Sequence, residues 1–292
     1  MAINSNATML KDLVNPQVLS EMISSRLFLD SVFIPMVKKD TTLMDRAGSV
    51  LSIPRYTTNG IATIVAEGED IPITKLTTEI VQVPIVKIAD GSILTDEALL
   101  AGAGAPYDAV VQTLAYNINA KVDAEILKVL ATIKTAMTTT LTTKLSGDGI
   151  ATALSKFGQN VQGEKVIYIS PEQLAQLRTS SAWINATDMG VKLMMDGAVG
   201  SIWGCQVILS DLIKPVGNVY NNFIVKKDAT MIAYKREIKT EEQRKSNNSS
   251  TEIYATLHAG FHLLDETKAI KIITDETGTF SEKSKTNKNN IE

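Results

Sequence analysis

Residues 106–137 read PYDAVVQTLAYNINAKVDAEILKVLATIKTAM, and their apolar residues recur at three- and four-residue steps for about eight turns. Pro106 suits the first position of a helix, where its missing N–H costs nothing, and Asp108 places a negative charge at the positive helix end. The apolar positions are Val111, Leu114, Ala115, Ile118, Val122, Ile126, Val129, Ile133 and Met137. At ~1.5 Å per residue the segment spans roughly 45 Å, far more than an average helix. We therefore expect one long amphipathic helix, here named the spine helix, from Pro106 to about Met137.

The bulk composition is that of a globular protein with a sizeable core. Of the 292 residues, 44% are hydrophobic, which is enough for one elaborate domain or two interleaved ones. The 29 basic and 32 acidic residues give a net charge of −3, so the chain lacks the excess of positive charge that is typical of nucleic-acid-binding proteins. No run approaches the ~18 consecutive apolar residues of a membrane helix, and the start lacks the features of a signal peptide. We therefore expect a chain that is made in a cytoplasm and does not enter a membrane.

Two strand-like runs, Val50–Tyr56 and Ile80–Ile88, precede the spine helix. Each run contains a proline, which favours an edge strand or an isolated ribbon over a central strand. We expect the two runs to pair as a long hairpin whose connection is far longer than the roughly two to five residues of most hairpin loops. Because a bare two-stranded ribbon is marginal in water, we expect this excursion to lie against a partner chain.

The segments that follow the ribbon read as a mixture of helices and strands. Thr95 is a helix N-cap before two acids, and Ser170-Pro171 opens another helix. Buried strands are expected at Lys165–Ile169 and Ile202–Leu209 because both runs are apolar and β-branched. This part of the chain therefore predicts an α+β lobe.

The C-terminal part begins with a charged and polar stretch, 237–250, which is expected to be a solvated crossing. Beyond it Ile253–Leu264 alternates apolar and polar residues, which is typical of a strand with one buried face. We expect this strand to form a terminal hairpin with Ala269–Ile273, followed by a polar tail.

The order of these pieces resembles the major capsid proteins of tailed bacteriophages, which share the Hong Kong 97-like fold. The resemblance covers nearly the whole chain and rests on Val65–Pro72 in the ribbon, Leu94–Ala98 behind it and Gly200–Gly204 in the lobe. It implies an α+β fold with a defined set of parts. These parts are an N-terminal arm (1–46), an extension loop formed by the long β-hairpin (47–94), a peripheral domain with the spine helix 106–137 and the closing β-hairpin (95–140 and 236–274), an axial domain (141–235) and a disordered polar tail (275–292).

An acidic group on the expected extension loop is the main candidate for a contact site. Glu67, Glu69 and Asp70 lack the ligand spacing of a dedicated calcium loop, and a solvated tip fits them equally well. We favour a charged contact with a neighbouring subunit, in which Lys75 of the same loop also takes part. Some relatives carry isopeptide cross-links, so the resemblance leaves a covalent role open for Lys75 without identifying its partner. The candidate basic partners of the acids are Arg26, Arg46, Lys121 and Lys128.

No pattern in the sequence indicates catalysis, a cofactor or a metal. His258 and His262 lie four residues apart on an expected strand, which separates them by ~13 Å, too far for one ion. The single Cys205 lies in an apolar strand without a basic neighbour in sequence, which is typical of a buried thiol. The chain has no Ser-His-Asp order, P-loop or dinucleotide-binding glycine pattern. We therefore expect no enzyme activity, no cofactor and no metal site.

The resemblance implies a structural protein that self-assembles into pentamers and hexamers of an icosahedral head around double-stranded DNA. It also implies a portal and, where they are used, separate scaffolding or decoration proteins as partners. Assembly would take place in the cytoplasm of the bacterial host, and the final location would be the virion. The net charge predicts that DNA is enclosed without specific binding. Two alternatives remain: an encapsulin, which is a bacterial nanocompartment shell protein with the same fold, and a soluble enzyme that forms small oligomers.

Overall fold

The computed structural model describes residues 31–44, 46–57, 64–65, 68, 70–71, 73, 77–101, 106–142, 144–178, 183–185 and 198–275. Its helices are α1 (Asp96–Ala101), α2 (Pro106–Ala131), α3 (Gly147–Leu154) and α4 (Pro171–Arg178). The arm up to residue 30 and the tail beyond residue 275 lie outside the described residues, so the expectations for them stay predictions.

The spine helix is α2, and it begins at Pro106 as predicted but ends at Ala131 instead of Met137. After Ala131 the backbone forms 3-10-type hydrogen bonds to the residue three positions earlier, from the Thr132 amide to the Val129 carbonyl and from the Ile133 amide to the Leu130 carbonyl. A short 3-10 turn and a strand follow. The apolar period continued past the helix because Ile133 still points into the core. The pattern of buried residues therefore extends beyond the end of the helix.

The buried stripe of α2 packs against a sheet of the strands β1 (Lys38–Asp40), β11 (Thr230–Lys245), β12 (Ser250–Leu263) and β4 (Val86–Thr95), in that order. Strand β12 alternates as predicted. Its inward-facing residues, which lie in one apolar core with α2, are Ile253, Ala255, Leu257, Ala259 and Leu263.

The expected solvated crossing at 237–250 is wrong, because β11 continues to Lys245 and β12 begins at Ser250. Antiparallel pairing with β12 satisfies the backbone of this stretch. Its polar side chains find partners across strands, as in the Lys245–Glu252 ion pair of 2.5 Å. The sequence of this stretch is polar because one face of the strand is exposed, and for this reason the strand was not predicted.

A second sheet has the order β5-β13-β10-β6-β9-β8-β7 within the described residues. Its strands are β5 (Thr138–Leu141), β6 (Lys165–Ile169), β7 (Trp183–Asn185), β8 (Ala198–Ile202), β9 (Cys205–Leu209), β10 (Val219–Lys226) and β13 (Ala269–Asp275). The central strands bury both faces. In β6, Val166 and Tyr168 join the core of α2, while Ile167 and Ile169 join a second core with α3 and α4.

The predicted closing hairpin is wrong, because β13 pairs with β10 and β5 and not with β12. A 3-10 turn at Glu266–Lys268 carries the chain from the first sheet to the second. Both faces of β13 are largely buried, so the strand needs covering layers on both sides, which the interior of the second sheet provides. The segment 236–274 is therefore divided between two sheets.

The single strand predicted at Ile202–Leu209 is also wrong, because the chain turns at Trp203-Gly204 to form the hairpin of β8 and β9. Both turn residues have positive φ, 50° and 73°, as two-residue hairpin turns of type I′ require. The Trp203 indole Nε1–H donates a hydrogen bond of 2.9 Å to the Gly147 carbonyl oxygen, which ties the turn to α3.

The long hairpin predicted before the spine helix is confirmed as the pair β2 (Val50–Thr57) and β3 (Thr77–Pro84), here called the extension ribbon. The run expected as one strand, Ile80–Ile88, is divided near Pro84 into β3 and β4. The two halves face different partners, since β3 pairs with β2 and β4 pairs with β12. The connection at 58–76 lies mostly outside the described residues.

Candidate intersubunit surface

The base of the extension ribbon is packed closely against β12. The Val83 side chain is buried, and the Ile85 amide donates to the Ser49 carbonyl oxygen at 3.0 Å. A Cβ atom added to Gly260 would lie 2.9 Å from the Pro84 carbonyl oxygen and 2.9 Å from the Val83 Cγ1 atom. Only glycine therefore fits at this crossing, and the ribbon leaves the body from a defined point.

Charged groups add a second connection at the base. The Glu266 carboxylate lies 3.6 Å from Arg55 of the ribbon and 2.7 Å from Lys134, which follows α2. The Lys235 ammonium also donates to the Gly48 carbonyl oxygen. Pairs this exposed contribute about 0–1 kcal/mol each, so they orient the ribbon more than they stabilise the fold.

Beyond its base the ribbon exposes large apolar side chains. Those in and beside the described part of the ribbon are Ile64, Ile71, Ile73 and Ile80, with exposed fractions of 103%, 77%, 96% and 65%. A two-stranded ribbon has no second layer on which to bury them. An apolar surface of this kind marks a contact with another molecule.

Of the predicted site residues, only Asp70 is described, and it is exposed. Glu67, Glu69 and Lys75 lie outside the described residues, so their role in contacts stays a prediction. Among the candidate basic partners, Arg46 is exposed, whereas Lys121 and Lys128 already pair with Glu125 at 2.9 and 2.7 Å. Arg26 lies outside the described residues.

The point where the arm reaches the body was missed by sequence reasoning. Asp123 lies on α2 and is 6% exposed, and its carboxylate accepts hydrogen bonds from the Ser31 hydroxyl at 2.5 Å and the Val32 amide at 3.2 Å. Burial raises the pKa of Asp123, while these hydrogen bonds oppose the shift. An acid beside Val122 on the mainly apolar stripe, one turn after the buried Asn119, is the signal that could have found it. Residues 31–33 are thus anchored to the spine helix.

The short helix behind the ribbon is capped as predicted. The Thr95 hydroxyl accepts a hydrogen bond from the Ala98 amide at 3.3 Å. The two guanidinium nitrogens of Arg244 donate to the two carboxylate oxygens of Asp96 at 2.6 and 2.5 Å, and this holds the pKa of Asp96 below its usual value. The end of β11 is therefore joined to the start of α1.

The remaining candidates for chemistry are placed where they do not meet. Cys205 is buried, and burial raises the pKa of its thiol to about 11, which keeps it protonated and unreactive. His258 and His262 lie on β12 as expected, and burial lowers the pKa of both. Among the described residues, no group of three or more His, Cys, Asp or Glu could hold a metal ion. The described helices include none that is long and apolar enough to cross a membrane.

Two sheets, a spine helix and a projecting ribbon are the parts of a capsid subunit with the Hong Kong 97-like fold. Residues 78–272 match the family of phage capsid proteins, and the chain belongs to this family. The predicted α+β fold and the predicted function, a major capsid protein of a tailed phage, are confirmed. The encapsulin alternative is not supported, because the matching family is that of phage capsid proteins and a relative 31% identical is a phage major capsid protein. The protein is therefore a structural subunit of a multimeric shell in the virion.

Individual relatives support this assignment. The major capsid protein of Staphylococcus phage phiMR11 is 31% identical over 259 residues, which cover 88% of this chain and 92% of that protein. The capsid of Ralstonia phage GP4 has a TM-score of 0.66 at 12% identity, covering 82% of this chain and 87% of that chain. The structure of Mycobacterium phage Che8 has a TM-score of 0.64 at 18% identity, with 86% and 93% covered.

Proposed function

We propose that this protein assembles into pentamers and hexamers that close an icosahedral head around double-stranded DNA. The observation that carries the proposal is the extension ribbon, which is firmly attached at its base and exposes isoleucines beyond it. Such a ribbon has a use only when a neighbouring subunit covers it. Geometric fit between subunits, repeated around the shell, is the mechanism.

Electron microscopy of the expressed protein tests the proposal. We expect closed particles with five-fold and six-fold clusters of subunits in negative stain. Small oligomers that never close, at any concentration or salt condition that keeps the protein folded, would contradict it.

We propose that the parts of the chain have the roles implied for this fold. The arm (1–46) and the extension loop (47–94) reach to neighbours, and the peripheral domain (95–140 and 236–274) contains α2, β12 and most of β11, to which β1 of the arm and β4 of the loop add the outer strands of the first sheet. The axial domain (141–235) forms the contacts around each capsomer. Because β13 lies inside the second sheet, we assign 269–275 to the axial domain as well.

We infer that the partners are other copies of the chain, a portal and, where they are used, separate scaffolding or decoration proteins. The head is assembled in the cytoplasm of the host bacterium. A net charge of −3 is consistent with a wall that confines DNA without specific binding. The subunit needs neither a catalytic group nor a cofactor for this function.

A further inference from the structure

A polar cavity of about 540 Å³ lies at the 3-10 turn that joins the two sheets. Three segments surround it: the loop after α3, the turn between β10 and β11, and the 3-10 turn before β13. The lining residues used below are Gln159, Asn160, Gln162, Glu164, Lys226, Lys227, Asp265 and Lys268. Its volume lies within the ~300–1,000 Å³ of typical ligand pockets.

Two lysines, Lys226 in the lining and Lys165 beside it, are held by uncharged groups. Lys226 is 8% exposed, and its ammonium donates to the Gln162 carbonyl oxygen at 3.1 Å and lies 4.5 Å from the centre of the Phe157 ring. Lys165 is also 8% exposed and donates to the Val161 carbonyl oxygen. These contacts position both ammonium groups without neutralising their charge.

The nearby carboxylates neutralise these charges only in part. Glu164 lies 3.8 Å from Lys227, and Asp265 lies 3.9 Å from Lys268, both longer than the ~3.2 Å limit of a good N–H···O bond. Asp265 instead accepts hydrogen bonds from the Thr267 amide and hydroxyl at 3.0 and 2.7 Å. The lining therefore keeps an excess of positive charge, because Lys226, Lys227 and Lys268 outnumber the acids Glu164 and Asp265.

The lysines also repel one another. The pKa of Lys226 is lowered first by burial and then by repulsion from Lys165 and Lys268, while attraction to Asp265 opposes part of this shift. A negative ion among these ammonium groups would replace that repulsion by attraction. Lys165 and Lys226 are buried, whereas the Lys268 side chain is 43% exposed, and burying two cations close together is costly unless an opposite charge shares the space.

We propose that this cavity binds an oxyanion of the phosphate class. Lysine ammonium groups bind phosphate as point charges, and the side-chain amides of Gln159 and Asn160 can donate further hydrogen bonds. The cavity exceeds the volume of one tetrahedral ion, so it also has room for waters or for the group that carries the phosphate. Free phosphate and the phosphate of a nucleic acid share this chemistry, and the experiment separates the two sources.

The experiment measures thermal unfolding and calorimetric binding of the full-length protein with inorganic phosphate, against chloride at equal ionic strength. At phosphate near 100 times the dissociation constant, we expect a melting temperature higher by about 5 °C. Lys226→Gln and Lys268→Gln should each weaken binding by about tenfold, whereas Lys128→Gln on α2 removes the same charge and should not.

A second arm titrates a short DNA duplex into the phosphate complex. If the duplex displaces phosphate from the unmodified chain and this displacement is lost in Lys226→Gln, the site binds the phosphate of nucleic acid. If the duplex displaces no phosphate, the site binds free phosphate. The proposal is overturned if phosphate and chloride act alike, or if both cavity variants bind phosphate like the unmodified chain. It is also overturned if phosphate has no effect while Lys268→Gln prevents shell formation, because the cavity would then receive a carboxylate from a neighbouring subunit.

Discussion

Asp123 shows how one residue can join two distant parts of the chain. Its carboxylate accepts the hydrogen bonds of Ser31 and Val32, which are 92 and 91 positions away in the sequence. The Ser31 hydroxyl in turn accepts a hydrogen bond of 3.2 Å from the amide of Ile34, the first residue of the 3-10 turn at the arm junction. The acid therefore sets where the arm meets the spine helix.

We predict that Asp123→Ala lowers the free energy of unfolding of the isolated subunit by about 1–3 kcal/mol, because buried donors lose their acceptor. Asp123→Asn keeps one acceptor oxygen and should lose less. Urea unfolding of the two variants beside the unmodified chain measures this difference. Equal stability of the alanine variant and the unmodified chain would contradict the anchoring role.

The pH dependence of Asp123 has a definite sign. Because burial raises its pKa in the folded state, the contribution of this group is complete below the unfolded value of about 3.9 and is lost as the pH rises through the folded value. We predict that the unmodified chain gains stability relative to Asp123→Asn as the pH falls from 7 towards 4. A constant difference between the two across this range would show that Asp123 does not titrate as expected.

Gly260 is the second residue with a testable role. A Cβ atom at this position would meet backbone and side-chain atoms of the ribbon base at 2.9 Å. We predict that Gly260→Ala costs about 1–3 kcal/mol of folding free energy and speeds hydrogen exchange of the Val83 and Ile85 amides.

Gly204→Ala is the matched control for that change. Gly204 has a φ of 73° and no atom within 4 Å of an added Cβ, so its substitution adds backbone strain without a clash. It should cost roughly 1–2 kcal/mol and leave exchange at the ribbon base unchanged. Faster exchange of the Val83 and Ile85 amides in both variants would mean that general destabilisation, and not the contact at Gly260, loosens the ribbon.

At the level of elements, the extension ribbon separates folding from assembly. Its strands pair in register down to Thr57 and Thr77, so an Asn-Gly turn can replace residues 58–76 without altering the pairing. We predict that this variant keeps its far-UV spectrum and melting temperature, because none of the described residues of 58–76 is buried, but no longer forms shells. Far-UV circular dichroism and electron microscopy measure the two properties.

A glycine-serine segment of the same length in place of 58–76 is the matched control. It keeps the reach of the loop and removes the exposed isoleucines and the acids. Loss of shells in both variants assigns assembly to the side chains, and loss in the short variant alone assigns it to reach. Shells at normal yield from the short variant would contradict a role of the loop in assembly.

At the level of the whole molecule, assembly multiplies small contacts. An exposed ion pair contributes about 0–1 kcal/mol, but a shell repeats it in every subunit, and salt screens it over about 8 Å. We predict that neutralising Glu67, Glu69 and Asp70 together changes the shell yield and reduces its dependence on salt. Light scattering across a salt series measures both.

A control triple variant, Glu97→Gln, Asp211→Asn and Glu237→Gln, removes the same charge from exposed positions elsewhere. It should keep the salt dependence of the unmodified chain. If both triple variants behave alike, net charge and not the acidic tip governs assembly.

Local patterns accounted for the features whose cause is local. The stripe of α2, the alternation of β12 and the cap at Thr95 follow from side-chain spacing and from one hydrogen-bonding residue type, so sequence reasoning could predict them. The ribbon was predictable for the same reason, since its prolines exclude a central strand.

The tertiary structure alone decided the pairing of strands and the groups that meet across long distances. Alternation of apolar and polar residues indicates that one face of a strand is buried, but it does not indicate which strand pairs with it. For this reason β13 was assigned to the wrong sheet. The polar half of β11 became a strand because β12 satisfies its backbone, whatever its composition. Long-range packing, and not local propensity, brings Asp123 close to Ser31. It also brings together the lysines of the cavity, which come from segments far apart in sequence.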